Sequence, residues 1–261
     1  MGLNLFRGLL PARRTENHDQ HTSAPEKETL TPHETGILEE LEQPIYSIVT
    51  QLKEQINRGE YSVILGDDAS GRLPALMVWQ VVKELYKRKG YPAPAIRFVA
   101  GERYAMVEAQ HKKQQVLQNY FGKMHDDISR EHAKLGKVLI VTDTIATGHT
   151  IDIFVKALRQ NDWPMDVATL STLYIGTSQF QNRWNTTVVT GTNEKKKYYI
   201  DGYRNDMKGV EKSSKQLFVH PLTRLDAERH KEMRATVRLA RLKTKEISDR
   251  ILRNYPKDIT P

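Results

Sequence analysis

Length, composition and charge bound what this chain can be. Its 261 residues suit one α/β domain with appendages, and the absence of cysteine excludes a disulfide framework, a thiol nucleophile and a thiolate metal site. The formal net charge of +8 favours anionic partners such as phosphorylated metabolites, nucleic acid or an acidic surface. No apolar run approaches the roughly 20 residues needed to cross a bilayer. We therefore expect no membrane contact and a cytoplasmic setting.

The N-terminal part of the chain lacks a regular pattern. Residues 1–33 mix Pro, Thr, His and charge without a sustained period, so we predict that this segment is disordered. Its first ten residues lack the ordered regions of a signal peptide. From residue 34 onwards an apolar stripe predicts either one helix kinked at Pro44 or two helices that meet there. The stripe consists of Ile37, Leu38, Leu41, Ile45, Ile48, Leu52 and Ile56.

Strand-like runs then alternate with helical patterns. The runs at 62–66, 95–99, 137–142 and 166–175 predict four strands, and 184–189 and 197–203 can add β structure. The connection over 102–132 has helical spacing, with apolar residues from Val116 to Ile128. Such alternation predicts an α/β fold in which helices flank a parallel sheet and ligands bind at its carboxyl edge.

The segment VLIVTDTIATGHT, residues 138–150, is the most informative in the chain. Four apolar residues indicate a strand buried on both faces, and Asp143 and a small-residue loop follow it. Thr147 and Thr150 offer hydroxyls, Gly148 permits a close backbone approach, and a helical pattern begins directly afterwards. A strand, a tight polar loop and a helix N-terminus together predict an anion site.

Two other interpretations of this segment stay open. A phosphatase with an aspartyl nucleophile also begins with an apolar strand and Asp, but it needs a second acid two residues on, where this chain has Ile145. The segment can also be a plain turn between a strand and a helix, with no ligand. Neither interpretation accounts for the whole loop.

The segment closely resembles the phosphoribosyl pyrophosphate (PRPP) loop of the type I phosphoribosyltransferases, over a region of about residues 60–175. In that family a buried strand leads into two acids and a loop that ends in Thr-Gly-x-Thr or Ser. The resemblance implies that residues 146–150 (Ala146, Thr147, Gly148, His149, Thr150) wrap a 5′-phosphate and that Asp143 faces the ribose hydroxyls. Thr142 stands at the first acidic position, where its hydroxyl can bond a ribose hydroxyl but brings no charge.

A second segment, GDDASGR at 66–72, follows the first predicted strand. The resemblance implies that Ser70, Gly71 and Arg72 bind pyrophosphate, because Arg72 can neutralise a diphosphate with a forked set of donors. It also implies Mg²⁺ as cofactor. Asp67 and Asp68 either hold that ion through water or cap the helix that follows.

The resemblance implies an enzyme that moves a ribose 5-phosphate unit onto a nitrogenous acceptor and releases pyrophosphate. The α/β domain would span 34–222, with Asp143 as its catalytic carboxylate. The alternative is a nonenzymatic PRPP or nucleotide sensor, or a nucleic-acid-binding module, on the same fold, and Thr142 favours it. The sequence does not identify the acceptor.

Two further groups of residues allow both a functional and a structural interpretation. Arg103, Lys112 and Lys113 can reach a diphosphate or lie on a solvated helix face. The run His125, Asp126, Asp127 suggests a metal site, but an exposed helix face explains it equally well.

The C-terminal segment 223–261 is predicted to be a basic helical extension. Between residues 224 and 253 it carries ten Lys or Arg against five Asp or Glu. Its stripe predicts packing on the main domain or on a second subunit, whereas its basic face favours nucleic acid. The stripe consists of Met233, Val237, Ala240, Thr244, Ile247 and Ile251.

Overall fold

The computed structural model describes residues 29–68, 71–100, 107–131, 136–198 and 227–256. Five strands and eight helices lie within these ranges. The strands are β1 (Tyr61–Asp68), β2 (Ala95–Ala100), β3 (Lys137–Ile145), β4 (Met165–Thr172) and β5 (Val188–Thr190). The helices are α1 (Pro32–Glu39), α2 (Glu42–Gln51), α3 (Lys53–Asn57), α4 (Arg72–Lys89), α5 (Val107–Glu131), α6 (His149–Arg159), α7 (Thr177–Trp184) and α8 (Ala227–Asn254).

The strands form one parallel sheet in the order β2-β1-β3-β4-β5. The predicted α/β fold, with a parallel sheet flanked by helices, is therefore confirmed. From β1 the chain first adds β2 on one side and then β3 on the other, so the direction of winding changes between β1 and β3. In open parallel sheets such a switch point opens a crevice beyond the carboxyl ends of the strands, which is where ligands bind.

Both faces of the sheet are covered. Side chains alternate along each strand, so Ile64 and Val141 pack with α1, α2, α3, α4 and α8, whereas Leu65 and Ile140 pack with α5, α6 and α7. This burial on two faces explains the unbroken apolar runs of the strands. No helix in the described part of the chain is both long enough and apolar enough to cross a membrane.

Two strand ends differ from the sequence prediction. β3 continues to Ile145, because Thr144 and Ile145 still pair with Ser171 and Thr172 of β4. Asp143 therefore belongs to the strand, with its backbone fixed by the sheet. β4 ends at Thr172 instead of 175. The run 184–189 contains the last residue of α7 and the start of β5, and 199–203 lies outside the described residues.

The N-terminal helices begin slightly before the predicted domain start at residue 34. Thr31 and Glu34 form a capping box, in which the Thr31 hydroxyl accepts from the Glu34 N–H at 3.2 Å, and Pro32 occupies the first turn. Pro44 lies in the first turn of α2, so two helices meet near it as one of the two alternatives predicted. Residues 1–28 of the segment predicted to be disordered lie outside the described residues.

Helix α8 packs on the domain. Four residues of its predicted stripe, Ala240, Thr244, Ile247 and Ile251, are buried, and α8 contacts α1, α2 and α4. Arg250 binds Glu42 at 2.6 Å and also pairs with Glu39, which accepts from Lys243 at 2.7 Å. Arg238, Arg241, Lys245 and Arg253 are exposed on the outer side. Nucleic-acid contact through this side stays a prediction, and the side chains of Met233 and Val237 lie outside the described ones.

The contacts of Arg250 with Glu39 and Glu42, called the clasp below, join α8 to α1 and α2. Replacing Arg250 by Met should therefore lower the free energy of unfolding by about 1 kcal/mol at neutral pH. Burial tends to raise the pKa of Glu39, but Lys243 and Arg250 outweigh it and hold that pKa below its usual value of 4.5. This contribution is present above the unfolded pKa and is lost as the pH falls through the folded one. Urea titrations should therefore show the difference shrinking in acid.

The matched control is Lys245→Met, because Lys245 makes an exposed pair with Asp249 on the same helix. It should leave the urea midpoint unchanged at both pH values. An Arg250→Met effect that is absent at neutral pH, or equally large in acid, would contradict the clasp.

Candidate functional site

The candidate site lies at the switch point, where the carboxyl ends of β1 and β3 meet. Gly66 of β1 pairs with Val141 of β3. The next residue of each strand, Asp67 and Thr142, therefore lies at the rim of the crevice. Two segments that the sequence analysis selected separately thus come together at one edge of the sheet.

Three polar groups converge there. The Thr142 Oγ1 lies 3.4 Å from the Asp67 Oδ2 and 3.4 Å from the Asp143 Oδ1. The side chains are buried, with Asp67 7% and Asp143 8% exposed. One hydroxyl thus stands between two carboxylates from neighbouring strands. Such an acceptor-rich group suits the hydroxyls of a sugar or a hard cation.

Gly71 seats the N-terminus of α4 against these strand ends. Its N–H donates to the Asp67 carbonyl at 2.7 Å, and an added Cβ would lie 2.5 Å from that oxygen and 2.8 Å from the Val141 carbonyl oxygen. No side chain fits here. The internal hydrogen bond uses the Gly71 N–H, and Gly71 contributes close packing of α4 against the strand ends. A contact between Gly71 and pyrophosphate stays a prediction.

Arg72 is the first residue of α4 and brings a cation to the same edge. Its guanidinium carbon lies 4.7 Å from the centre of the Phe98 ring, a cation–π contact with the neighbouring strand β2. Phe98 was not among the candidate residues predicted from the sequence. Ser70 lies outside the described residues, and Asp68 ends β1 with a side chain outside the described ones.

The loop after β3 turns sharply into α6. Gly148 has φ +80° and is the N-cap of α6, where it offers no side-chain cap. The Asp152 N–H bonds to the Gly148 carbonyl at 2.9 Å, as the first bond of the helix. The preceding N–H groups belong to the helix start and have no partner within the helix, which makes this end suited to an anion. Thr147 and His149 are exposed, while Ala146 and Thr150 are half-buried.

Helix α7 holds this loop from outside. Arg183 donates to the Thr147 carbonyl at 2.9 Å and pairs with Asp152, which also accepts from the Trp184 Nε1 at 2.7 Å. Sequence reasoning missed these residues. No local pattern could have found them, because they act across more than 25 positions of the chain.

Hydroxyl side chains at the ends of β3 and β4 fix the backbone of Asp143. The Thr169 hydroxyl lies 3.2 Å from the Asp143 carbonyl and 2.8 Å from that of Ser171. The Thr144 Oγ1 accepts from the Ser171 hydroxyl at 3.4 Å and from the Tyr198 N–H at 3.1 Å. Alternating hydroxyls, at 142 and 144 and at 169 and 171, were the available sequence signal.

Magnesium fits the converging oxygens. No group of three His, Cys, Asp or Glu occurs among the described residues. Mg²⁺, however, commonly binds through one or two carboxylates, retained waters and substrate phosphates. The Asp67 and Asp143 carboxylates, both next to the Thr142 hydroxyl, offer oxygens of that kind.

The other candidates selected from the sequence lie away from this edge or outside the described residues. His125 packs edge-on against Trp163 at 5.3 Å, and Asp127 pairs with Arg130 at 3.2 Å, which favours an exposed helix face over a metal site. Arg103 lies outside the described residues. Lys112 and Lys113 belong to α5, but their side chains lie outside the described ones.

Solved structures similar to this chain include two phosphoribosyltransferases. An orotate phosphoribosyltransferase from Aeropyrum pernix is 18% identical with a TM-score of 0.32, and the match covers 60% of this chain and 68% of that one. A purine phosphoribosyltransferase from Pyrococcus horikoshii Ot3 is 13% identical with a TM-score of 0.32, covering 62% and 91%. No family model and no curated protein matches the chain. Because similarity this low supports no conclusion about function, that conclusion rests on the site itself.

Replacing Gly148 by Ala should destabilise the protein by about 2–4 kcal/mol, measured by urea denaturation. The residue has a left-handed φ, and the new Cβ would lie 2.8 Å from Phe180 and 2.9 Å from Trp184.

Two control glycines separate the effect of the left-handed φ from the effect of the close contact with α7. Gly90 has φ +75° with no atom near an added Cβ, so Gly90→Ala should cost about 1 kcal/mol. Gly176 has an ordinary φ of −71° and open space, so Gly176→Ala should change stability little. Equal losses at 148 and 90 would show that the contact with α7 does not shape the loop.

Proposed function

We propose that the carboxyl edge of the sheet binds a 5′-phosphorylated ribose of the PRPP type, and that the protein transfers this unit to a nitrogenous acceptor. The observation that carries the proposal is the convergence of Asp67, Thr142 and Asp143 at the switch point. The N-terminus of α6, which is suited to an anion, begins at Gly148, five residues after Asp143. A phosphorylated ribose presents the two matching features, an anion and a pair of hydroxyls.

The loop over 146–150 would receive the 5′-phosphate. The first N–H groups of α6 and the hydroxyls of Thr147 and Thr150 can donate to phosphate oxygens, and the helix dipole favours negative charge at this end. The exposed His149 can add a contact. Asp143 would then accept hydrogen bonds from the ribose hydroxyls at the rim of β3.

The start of α4 would receive the pyrophosphate. Arg72 brings a cation to this edge, and its place over Phe98 limits the directions in which the guanidinium can point. Ser70 and the tight turn at Gly71 complete this part of the proposal. Mg²⁺ would be held by Asp67 and Asp143 together with bound waters and oxygens of the diphosphate. It would supply positive charge that neutralises the diphosphate.

The proposed step exchanges one bond at C1 of the ribose for another. The C1–O bond to pyrophosphate breaks with its electron pair leaving on the oxygen, the lone pair of the acceptor nitrogen forms the C1–N bond, and the acceptor proton passes to solvent. Positive charge would build up on the ribose in between, and the Asp143 carboxylate would stabilise it. Positioning of both reactants would supply much of the remaining acceleration.

A nonenzymatic PRPP or nucleotide sensor is the second candidate. Thr142 favours it, because the resemblance places a carboxylate at that position and the structure shows a buried hydroxyl there. The two candidates share the ligand site and differ in turnover. Pyrophosphate release across a panel of nucleobases separates them.

Isothermal titration calorimetry with PRPP and Mg²⁺ tests the binding that both candidates require. The wild-type protein should bind PRPP, and Asp143→Asn should weaken the affinity about tenfold or more, since a charged acceptor is lost. Asp166→Asn is the control, because Asp166 is a buried acid at the opposite edge, bonded to Tyr61 at 2.9 Å and Lys137 at 3.2 Å. No binding at millimolar PRPP would overturn the proposal.

A comparison of two ligands tests the part assigned to Arg72. Arg72→Met should weaken PRPP binding about tenfold or more while ribose 5-phosphate, which lacks the pyrophosphate, binds nearly as before. Arg97→Met, on the exposed side of β2, should affect neither ligand. Equal losses for both ligands would assign Arg72 to the 5′-phosphate or to folding.

A further inference from the structure

We infer that Asp67 supplies, from the neighbouring strand, the carboxylate that the resemblance places at position 142. It would face the bound ribose from the side of Thr142, while Asp143, the next residue of β3, would face it from the α4 side. The Thr142 hydroxyl has one proton and can donate it to either acid. The inference deepens the proposed function and rests on it. In this interpretation the acid that position 142 lacks is present on the neighbouring strand β1, as Asp67.

The strand register supports this role. Gly66 and Val141 are paired, and both lie on the α4 side of the sheet, where an added Cβ on Gly66 would lie 2.9 Å from Ala75. Because side chains alternate along a strand, Asp67 and Thr142 share the other face. Their separation of 3.4 Å agrees with that placement.

The backbone around Asp67 is tightly fixed. The Gly71 N–H donates to the Asp67 carbonyl at 2.7 Å. Gly71 lies so close to the backbone of β1 and β3 that a side chain at this position would not fit. Asp67 is therefore held at the rim by the turn that starts α4. A group that faces a reacting sugar requires this kind of rigid support.

Comparison with Asp166 shows how a structural acid is placed in this sheet. Asp166, at the amino edge, binds the Lys137 ammonium at 3.2 Å and the Tyr61 hydroxyl at 2.9 Å. The Asp67 carboxylate lies next to the Thr142 hydroxyl at the opposite, carboxyl edge, where parallel sheets bind ligands.

Charge explains why the residue at 142 is Thr. Like charges on directly adjacent strand positions repel, so an acid at 142 beside Asp67 would be unfavourable. A hydroxyl donates one proton and accepts through its lone pairs, and it can therefore orient a carboxylate without adding charge. Thr142 is thus the neutral partner that Asp67 requires.

A charge-relocation experiment tests the inference, with PRPP and Mg²⁺ as the probe in calorimetry and urea denaturation as the folding readout. Asp67→Asn should weaken PRPP binding about tenfold or more. Adding Thr142→Asp to that variant should restore most of the affinity, because the carboxylate returns to the rim from the other strand. Thr142→Asp alone should not tighten binding, since three acids then crowd one site.

The controls separate a direct role from a structural one. Asp166→Asn should lower the urea midpoint and leave the PRPP affinity within about twofold of wild type. Wild-type affinity in Asp67→Asn would overturn the inference while the proposed function stands. A loss in Asp67→Asn that Thr142→Asp leaves unrepaired would also overturn it. No PRPP binding by the wild-type protein would overturn the proposed function itself.

Discussion

The register of β1 against β3 is the constraint on which the site depends. Pairing Gly66 with Val141 brings Asp67 beside Thr142, and the order of the sheet makes this junction the switch point. A slip by one residue would move the alternating side chains to the wrong face, so burial on both faces protects the register. Gly71 adds a second constraint, because only a residue without a side chain fits against the carbonyl oxygens of Asp67 in β1 and Val141 in β3.

Much of the fold could be predicted from local patterns. Strands buried on both faces appear as continuous apolar runs, and β1, β2 and β3 begin within a residue of their predicted starts. The stripe along α8 predicted a packing face, and Ala240, Ile247 and Ile251 are buried there. These features follow from periodicity, which a sequence displays directly. The Gly148 turn likewise lies at its predicted place before α6.

The relations between distant segments could not be predicted in this way. Nothing local shows that the carboxylate of Asp67 lies beside the hydroxyl of Thr142, 75 positions later. Arg183 and Asp152 shape the 146–150 loop through contacts that only the packing of α7 creates. The extra length of β3 follows from its pairing with β4. Each feature depends on a partner that the tertiary fold selects, and together they change how the acids are assigned.

A crystal structure of the protein with ribose 5-phosphate and Mg²⁺ is the most direct test of the account. We predict the 5′-phosphate at the first N–H groups of α6 and the ribose hydroxyls within hydrogen-bond distance of the Asp143 and Asp67 carboxylates. A sugar bound away from the carboxyl ends of β1 and β3, or bound there with the phosphate turned away from His149 and Thr150, would contradict it.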